Sequence, residues 1–333
     1  MKINGYTAAV TGALFGAICA STGVSAETWK FASKMPTDSP EGKVFQYFAD
    51  EVAKNTGGKL KVRIFPSEQL GKSAAALEQL QKGTIQIYAE GSVWMRKWSK
   101  DIETINTRFV FKDRAAWVRF AKSPMVQKWY AAAEKKSGVK VLGDLTGILR
   151  GPYRVVVSKG PIKQMGDFNG LKIRQSKAKM GALAYGTLGA EVRALSWTGT
   201  YQSMKTGIVE AVTSPAALVE SMKFYEVAPN ITRLDEFYQS IALMMNGASW
   251  NKLSKDSKAA LLKAHAAASK RSHEVMGGAT EKAFARMKKN GVKFGKLDVA
   301  PFVKKLRPVY QELEAKGDLP KGFLAAVDKA NGS

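Results

Sequence analysis

Cysteine and histidine are almost missing from this chain. One Cys in 333 residues excludes a disulfide framework and a thiolate zinc site, and two His exclude a histidine-rich metal centre. Acidic residues are scarce as well: 28 Asp and Glu stand against 52 Lys and Arg, a net charge of +24. That rules out an acidic tail or a calcium buffer and leaves nucleic acid, anionic surfaces or anionic ligands as partners. Catalytic signatures are absent too. There is no G-x-S-x-G elbow, no H-E-x-x-H pair, no P-loop, no glycine-rich dinucleotide fingerprint and no D-x-D cluster. Beyond the N-terminus no apolar run approaches the ~20 residues a membrane helix needs.

What is present begins with an export signal. Lys2 supplies the positive end, Ala8 to Ala20 the apolar stretch, and Val24-Ser25-Ala26 the small-x-small cleavage site, so the mature chain starts at Glu27. The apolar stretch is too short for a membrane anchor. Cys19 is preceded by Ile18, where lipid attachment wants a small residue, and is assigned to the discarded signal. The product is expected in the periplasm. Its composition, 45% hydrophobic and 24% charged, is that of a globular protein with enough length for two domains. The basic excess is spread along the chain instead of forming a stripe, which reads as a solvated surface that steers anions and not as a nucleic-acid interface.

The mature chain opens β-α-β-α-β. Strands are expected at Trp29–Ser33, Lys59–Phe65 and Ile85–Ala89, with helices at Val44–Lys54 and Ser73–Gln81 closed by Gly57-Gly58 and Gly83. This order favours a doubly wound α/β domain. The theme recurs with strands at Val139–Leu145, Arg154–Ser158, Leu171–Arg174 and Val209–Thr213 and helices at Lys177–Leu188 and Thr198–Thr206. Asp256 to Lys289 is one long Ala-rich stretch, broken by nothing before Gly277-Gly278 and long enough to bridge two lobes. It holds both histidines, His265 and His273, which read as packing or surface residues.

Several segments then resemble one family. Gly58 to Pro66 followed by Ser67-Glu-Gln-Leu-Gly71 is similar to "G-K-h-x-h-x-h-y-P-x-x-Q-L-G". Asp167 to Arg174 matches "D-h-x-G-h-K-h-R", and Lys223 to Val227 matches "K-F-Y-E-V". Gly189 to Tyr201 and the opening Trp29 to Val52 also fit, so the resemblance runs in order over the mature chain. These are the motifs of the extracytoplasmic solute-binding proteins of tripartite ATP-independent periplasmic (TRAP) transporters, of the DctP type. The resemblance implies an α/β fold of two lobes, a Venus flytrap with a long lobe-spanning helix. Lobe I would take residues 27–151 plus about 240–279, and lobe II 152–239 plus about 280–333. The ligand would sit in the cleft and the closed form would dock on a membrane permease. No catalysis, cofactor or metal is implied, and a monomer is expected.

The resemblance also names the candidate ligand-binding residues. Arg174 ends the most specific motif and would pair with a ligand carboxylate, since a guanidinium offers two parallel donors to two carboxylate oxygens. Arg154 is a second ligand-facing arginine, with Arg150 nearby as its rival. Trp197 would form an aromatic wall. Thr213 and Ser214 precede Pro215 where relatives carry a polar group. Lys34 would add a cation from the first loop. Tyr88, Glu90, Gly91 and Trp94 follow the third strand, and Phe237, Tyr238 and Gln239 lie in the late pocket-lining stretch. Asp235-Glu236 stands where a His is frequent, and Gly199 replaces the usual Glu; both departures loosen any transfer of ligand identity. The expected ligand is a small organic anion, with an aromatic or apolar body hinted at by the tyrosines and tryptophans.

Three other readings stay open on the sequence. A binding protein of an ATP-driven importer shares the two-lobe shape; the permease type encoded beside it separates the two. A secreted α/β hydrolase or lyase needs an acid–base pair, and none can be nominated. A basic surface-binding protein would bind heparin or DNA with steep salt dependence.

Overall fold

The computed structural model describes residues 26–332. The expected export signal lies outside the described residues except for Ala26. Twelve strands are described in chain order: β1 (Glu27–Ser33), β2 (Leu60–Phe65), β3 (Ile87–Gly91), β4 (Val139–Val141), β5 (Ile148–Leu149), β6 (Arg154–Ser158), β7 (Lys172–Gln175), β8 (Glu191–Ala194), β9 (Ala211–Pro215), β10 (Asn230–Arg233), β11 (Ser240–Asn246) and β12 (Lys293–Lys296). They form two sheets. The first runs β2-β1-β3-β11-β4 with β5 beside β11; the second runs β12-β10-β6-β9-β7-β8. The opening β-α-β-α-β unit gives the parallel trio β2-β1-β3. Helices cover both sheets, as parallel α/β strands require.

The first helix, Pro40–Asn55, shows how local chemistry sets an element. Ser39 caps it by accepting the Gly42 N–H at 3.0 Å, and Pro40 occupies the first turn. Val44, Phe45, Phe48 and Val52 recur at helical spacing and are fully buried against the first sheet, with Phe31 5.1 Å from Phe45. Gly42 is required: a Cβ there would lie 2.3 Å from the Pro36 carbonyl oxygen.

The long helix spans Lys255–Lys289, 35 residues, capped by Ser254 and unbroken at Gly277-Gly278. Up to Met276 it puts Leu261, Ala264, Ala268 and Met276 into the core of the first sheet, and its last turns put Ala283 and Met287 into that of the second. The helix is thus shared by both halves. His265 lies buried in it, tight against Gly143, whose left-handed turn ends the expected 139–145 strand after only Val141. Burial pushes its imidazole down to about 4.

Two connections cross between the sheets, one between β5 and β6 and one between β10 and β11. They run together: Arg154 accepts from the Leu234 N–H at 3.1 Å, and Ser240 pairs with Leu149. The C-terminal helices, Ala300–Ala315 and Phe323–Asn331, do not keep to one side. Phe302 stacks on Phe109 at 4.8 Å and meets Phe168 edge-on at 5.7 Å, and Phe323 meets Phe120 of the helix Arg114–Ala121 at 5.6 Å. The expected placement of 280–333 with residues 152–239 therefore omits a large apolar contact with the 109–121 region. Among the described residues no helix is long and apolar enough to cross a membrane.

Candidate binding cleft

A cleft of about 380 Å³ lies where the carboxyl ends of β1, β3, β7 and β9 face one another, the usual position for a ligand in open α/β sheets. Ten of the thirteen sequence candidates line it: Lys34, Glu90, Gly91, Trp94, Arg154, Arg174, Trp197, Thr213, Phe237 and Gln239.

Three candidates are placed elsewhere, and strand alternation explains two of them. On β9, Thr213 and Pro215 face the cleft, so Ser214 points to the other face, where its hydroxyl donates to the Pro215 carbonyl at 2.9 Å. Phe237 and Gln239 likewise face the cleft, and Tyr238 faces a separate surface hollow with Asp235 and Lys296. Tyr88 lies one layer behind. Its hydroxyl bonds the Ser73 hydroxyl at 2.9 Å, and Ser73 lines the cleft in its stead.

Arg150, the rival of Arg154, is clamped. It donates to Glu41 at 2.8 and 3.0 Å and also bonds Glu90, with all three side chains buried. Burial would lower its pKa, but the two carboxylates hold it raised. Lys34 rests against the same Glu90 and lies 5.5 Å from the Trp197 ring. Burial would push the Glu90 carboxyl up; Arg150 and Lys34 overcome this and hold it near about 2. Lys34 itself is lowered by burial in spite of Glu90.

Arg154 is also paired. Its Nε donates to Glu236 at 2.9 Å, and its terminal nitrogens reach Gln239 and Thr213 at 3.4 Å each. Asp235 and Glu236 thus have a structural use: Asp235 accepts the Arg154 backbone N–H at 3.1 Å and Glu236 its guanidinium.

Arg174 differs. It is buried, and its Nε and Nη2 both donate to one backbone oxygen, Leu195 O, at 3.0 and 2.7 Å. That leaves most of its five donors unspent. Among the described residues no carboxylate pairs with it. Burial pushes its guanidinium down to about 10, with Glu90 giving only partial relief. The Trp197 ring lies 5.4 Å from it, packs edge-on against Phe224 at 5.2 Å, and keeps a buried Nε1–H without a partner. Trp197 is therefore core residue and cleft wall at once.

The sequence reading missed Arg108, Asn106, Gln175 and Ser73, all lining the cleft, together with the exposed Lys72. Only Arg108 left a signal, a lone cation just ahead of the apolar run Phe109–Phe111. Contacts also cross the cleft: the Thr198 hydroxyl donates to Glu68 at 2.7 Å, and the Met180 N–H to Glu103 at 3.4 Å. No group of three or more His, Cys, Asp or Glu among the described residues is placed to hold a metal ion.

Comparison with known proteins agrees with this geometry. The profile described as "DctP: Bacterial extracellular solute-binding protein, family 7" matches residues 31–316. The chain is 26% identical to the C4-dicarboxylate-binding periplasmic protein DctP of Rhodobacter capsulatus, over 92% of this chain and 94% of that one. It is 26% identical to the 2,3-diketo-L-gulonate-binding periplasmic protein YiaO of Escherichia coli, over 99% of each. A TRAP periplasmic solute-binding protein from Roseobacter denitrificans with bound β-D-glucuronate superimposes with a TM-score of 0.81 at 22% identity, covering 90% of this chain and 99% of that one. The two-lobe fold is shared.

Proposed function

Because the chain belongs to the bacterial extracellular solute-binding proteins of family 7, the DctP type, we propose that it is the periplasmic solute-binding subunit of a TRAP transporter and captures a small organic anion in its cleft. One observation carries the choice of ligand class: Arg174 is a buried cation at the cleft wall with no carboxylate of its own. A buried charge without a partner is costly unless something completes it. A ligand carboxylate does so with two parallel hydrogen bonds. The relatives' names point the same way, since dicarboxylate, diketogulonate and glucuronate are all carboxylates.

The rest of the cleft supports this capture. Trp197 and Phe237 exclude water and strengthen the pairing in a site of low dielectric. Arg154, fixed by Glu236, adds positive potential, and Thr213 and Gln239 add polar contacts. The two crossing connections serve as the hinge between lobe I, residues 27–151 with about 240–279, and lobe II, residues 152–239 with about 280–333. The shared long helix and the C-terminal helices limit the motion to bending. The Glu68–Thr198 contact latches the closed mouth, and the closed form is the one presented to the membrane permease. Nothing covalent happens to the solute. The same reading makes residues 1–26 an export signal and the product a periplasmic monomer with no nucleic-acid partner.

A thermal-shift screen of the purified protein against a library of organic acids tests the proposal, since binding to the native state alone raises the midpoint. The expected result is a raised midpoint with a carboxylate that disappears in Arg174→Ala. A shift of equal size in Arg174→Ala contradicts it.

A further inference from the structure

Arg108 is a second buried cation without a carboxylate. It follows the short helical segment Lys100–Asn106 and reaches the cleft beside Gln175. One terminal nitrogen donates to the Asn106 carbonyl and the other to Gln175 Oε1 at 3.3 Å. Its Nε–H has no partner, and neither has the side-chain nitrogen of Gln175. Arg108 is 3% exposed and Gln175 2%, so solvent does not satisfy these donors. The Phe237 ring lies 3.9 Å from the Arg108 guanidinium and 4.1 Å from that of Arg154, which brings the two cations to one aromatic side chain in the cleft.

A guanidinium kept only for structure is expected to be paired, as Arg150 and Arg154 are here. The charge inventory makes the same point. Among the described residues around the cleft, Lys34, Arg108, Arg150, Arg154 and Arg174 face three buried carboxylates: Glu41, Glu90 and Glu236. Arg150 and Lys34 pair with Glu41 and Glu90, and Arg154 takes one oxygen of Glu236, whose charge eases the burial of Arg108 without bonding it. Arg108 and Arg174 remain. Burial pushes both of their guanidiniums below the ordinary value.

We propose that Arg108 is a second anion anchor and that the cleft selects a dianion, with a carboxylate on Arg174 and a second anionic group, carboxylate or phosphate, on Arg108 beside Arg154. This rests on the reading of the cleft as an organic-anion site. It adds a residue and a ligand charge to that reading. A monoanion leaves one of the two buried guanidiniums unanswered and binds more weakly for that reason.

The test is calorimetric titration at pH 8 with pairs that differ in one anionic group: succinate and succinamate, glutarate and glutaramate, 3-phosphoglycerate and glycerate. In the wild-type protein the member with two anionic groups, of at least one pair, is expected to bind on the order of a hundredfold more tightly than its partner. The pair that shows the preference tells carboxylate from phosphate. Arg108→Gln is expected to bring the dianion down to the monoanion's affinity while leaving the monoanion unchanged, and Arg108→Lys to keep part of the preference. The wild-type comparison needs no variant, so a misfolded Arg108→Gln does not blunt it. Equal affinity within every pair overturns the second anchor, as does an Arg108→Gln that weakens both members alike. If those monoanions still lose binding in Arg174→Ala, the organic-anion reading stands alone. Binding by none of the six compounds overturns the second anchor, while the organic-anion reading is decided separately by the thermal-shift screen with Arg174→Ala.

Discussion

Two walls of one cleft carry the same residue type in opposite states. On the first-sheet side Arg150 is held by Glu41 and Glu90, with Lys34 closing the group. On the second-sheet side Arg174 meets only a backbone carbonyl. Both arginines are buried, yet one has its charge balanced inside the protein and the other does not. A paired buried arginine serves the fold, because removing it strands its carboxylates. An unpaired one at a cleft serves whatever enters. Arg154, paired with Glu236 and also lining the cleft, stands between the two.

The sharpest way to break this contrast is to remove the paired cation. Arg150→Met strands Glu41 in the interior, leaves Glu90 with Lys34 alone, and is expected to cost about 3–5 kcal/mol of folding stability, read from denaturant unfolding. Next comes Arg174→Ala. It is expected to weaken binding of the organic acid by about 2–5 kcal/mol in a titration while changing stability by less than about 1 kcal/mol. If both substitutions destabilise equally, the two walls do not differ.

Acid sharpens the comparison differently. The folded His265 imidazole is lowered to about 4, so its neutral form is favoured by folding; the stability it contributes is full above about 6.5 and lost as pH falls towards 4. The folded Glu90 carboxyl is depressed to about 2. Its contribution is full above about 4.5 and lost as pH falls through 2. Unfolding curves across pH 2–8 should therefore show two losses, and His265→Gln should remove the upper one alone. The smallest effect belongs to the rim. Thr198→Val removes the hydrogen bond to Glu68 and is expected to speed ligand release severalfold, about 1 kcal/mol, as stopped-flow measurement would show.

Much of this was legible in the chain. The β-α-β-α-β opening announced itself by period-two strands and by helices followed by closing glycines, and the 35-residue helix by its Ala-rich run. Strands β10, β11 and β12 were not legible. β11 is buried on both faces and shows no alternation, while β12 is exposed throughout. Within the cleft, the motifs located segments but not faces. Thr213 and Ser214, or Phe237 and Tyr238, are neighbours in sequence and opposites in space. The pairing of Arg150 with Glu41, 109 residues apart, and the lack of a carboxylate partner for Arg174 exist only once the chain is folded.

The most direct test is to measure stability and binding of Arg174→Ala together. The wild type is titrated with the organic acid that most raises its melting midpoint, and the variant with the same acid. The expected result is that binding disappears while the ligand-free midpoint stays within about 2–4 °C of wild type. A variant that binds normally, or one that binds weakly only because its ligand-free fold has collapsed, would contradict the assignment of Arg174 to the ligand.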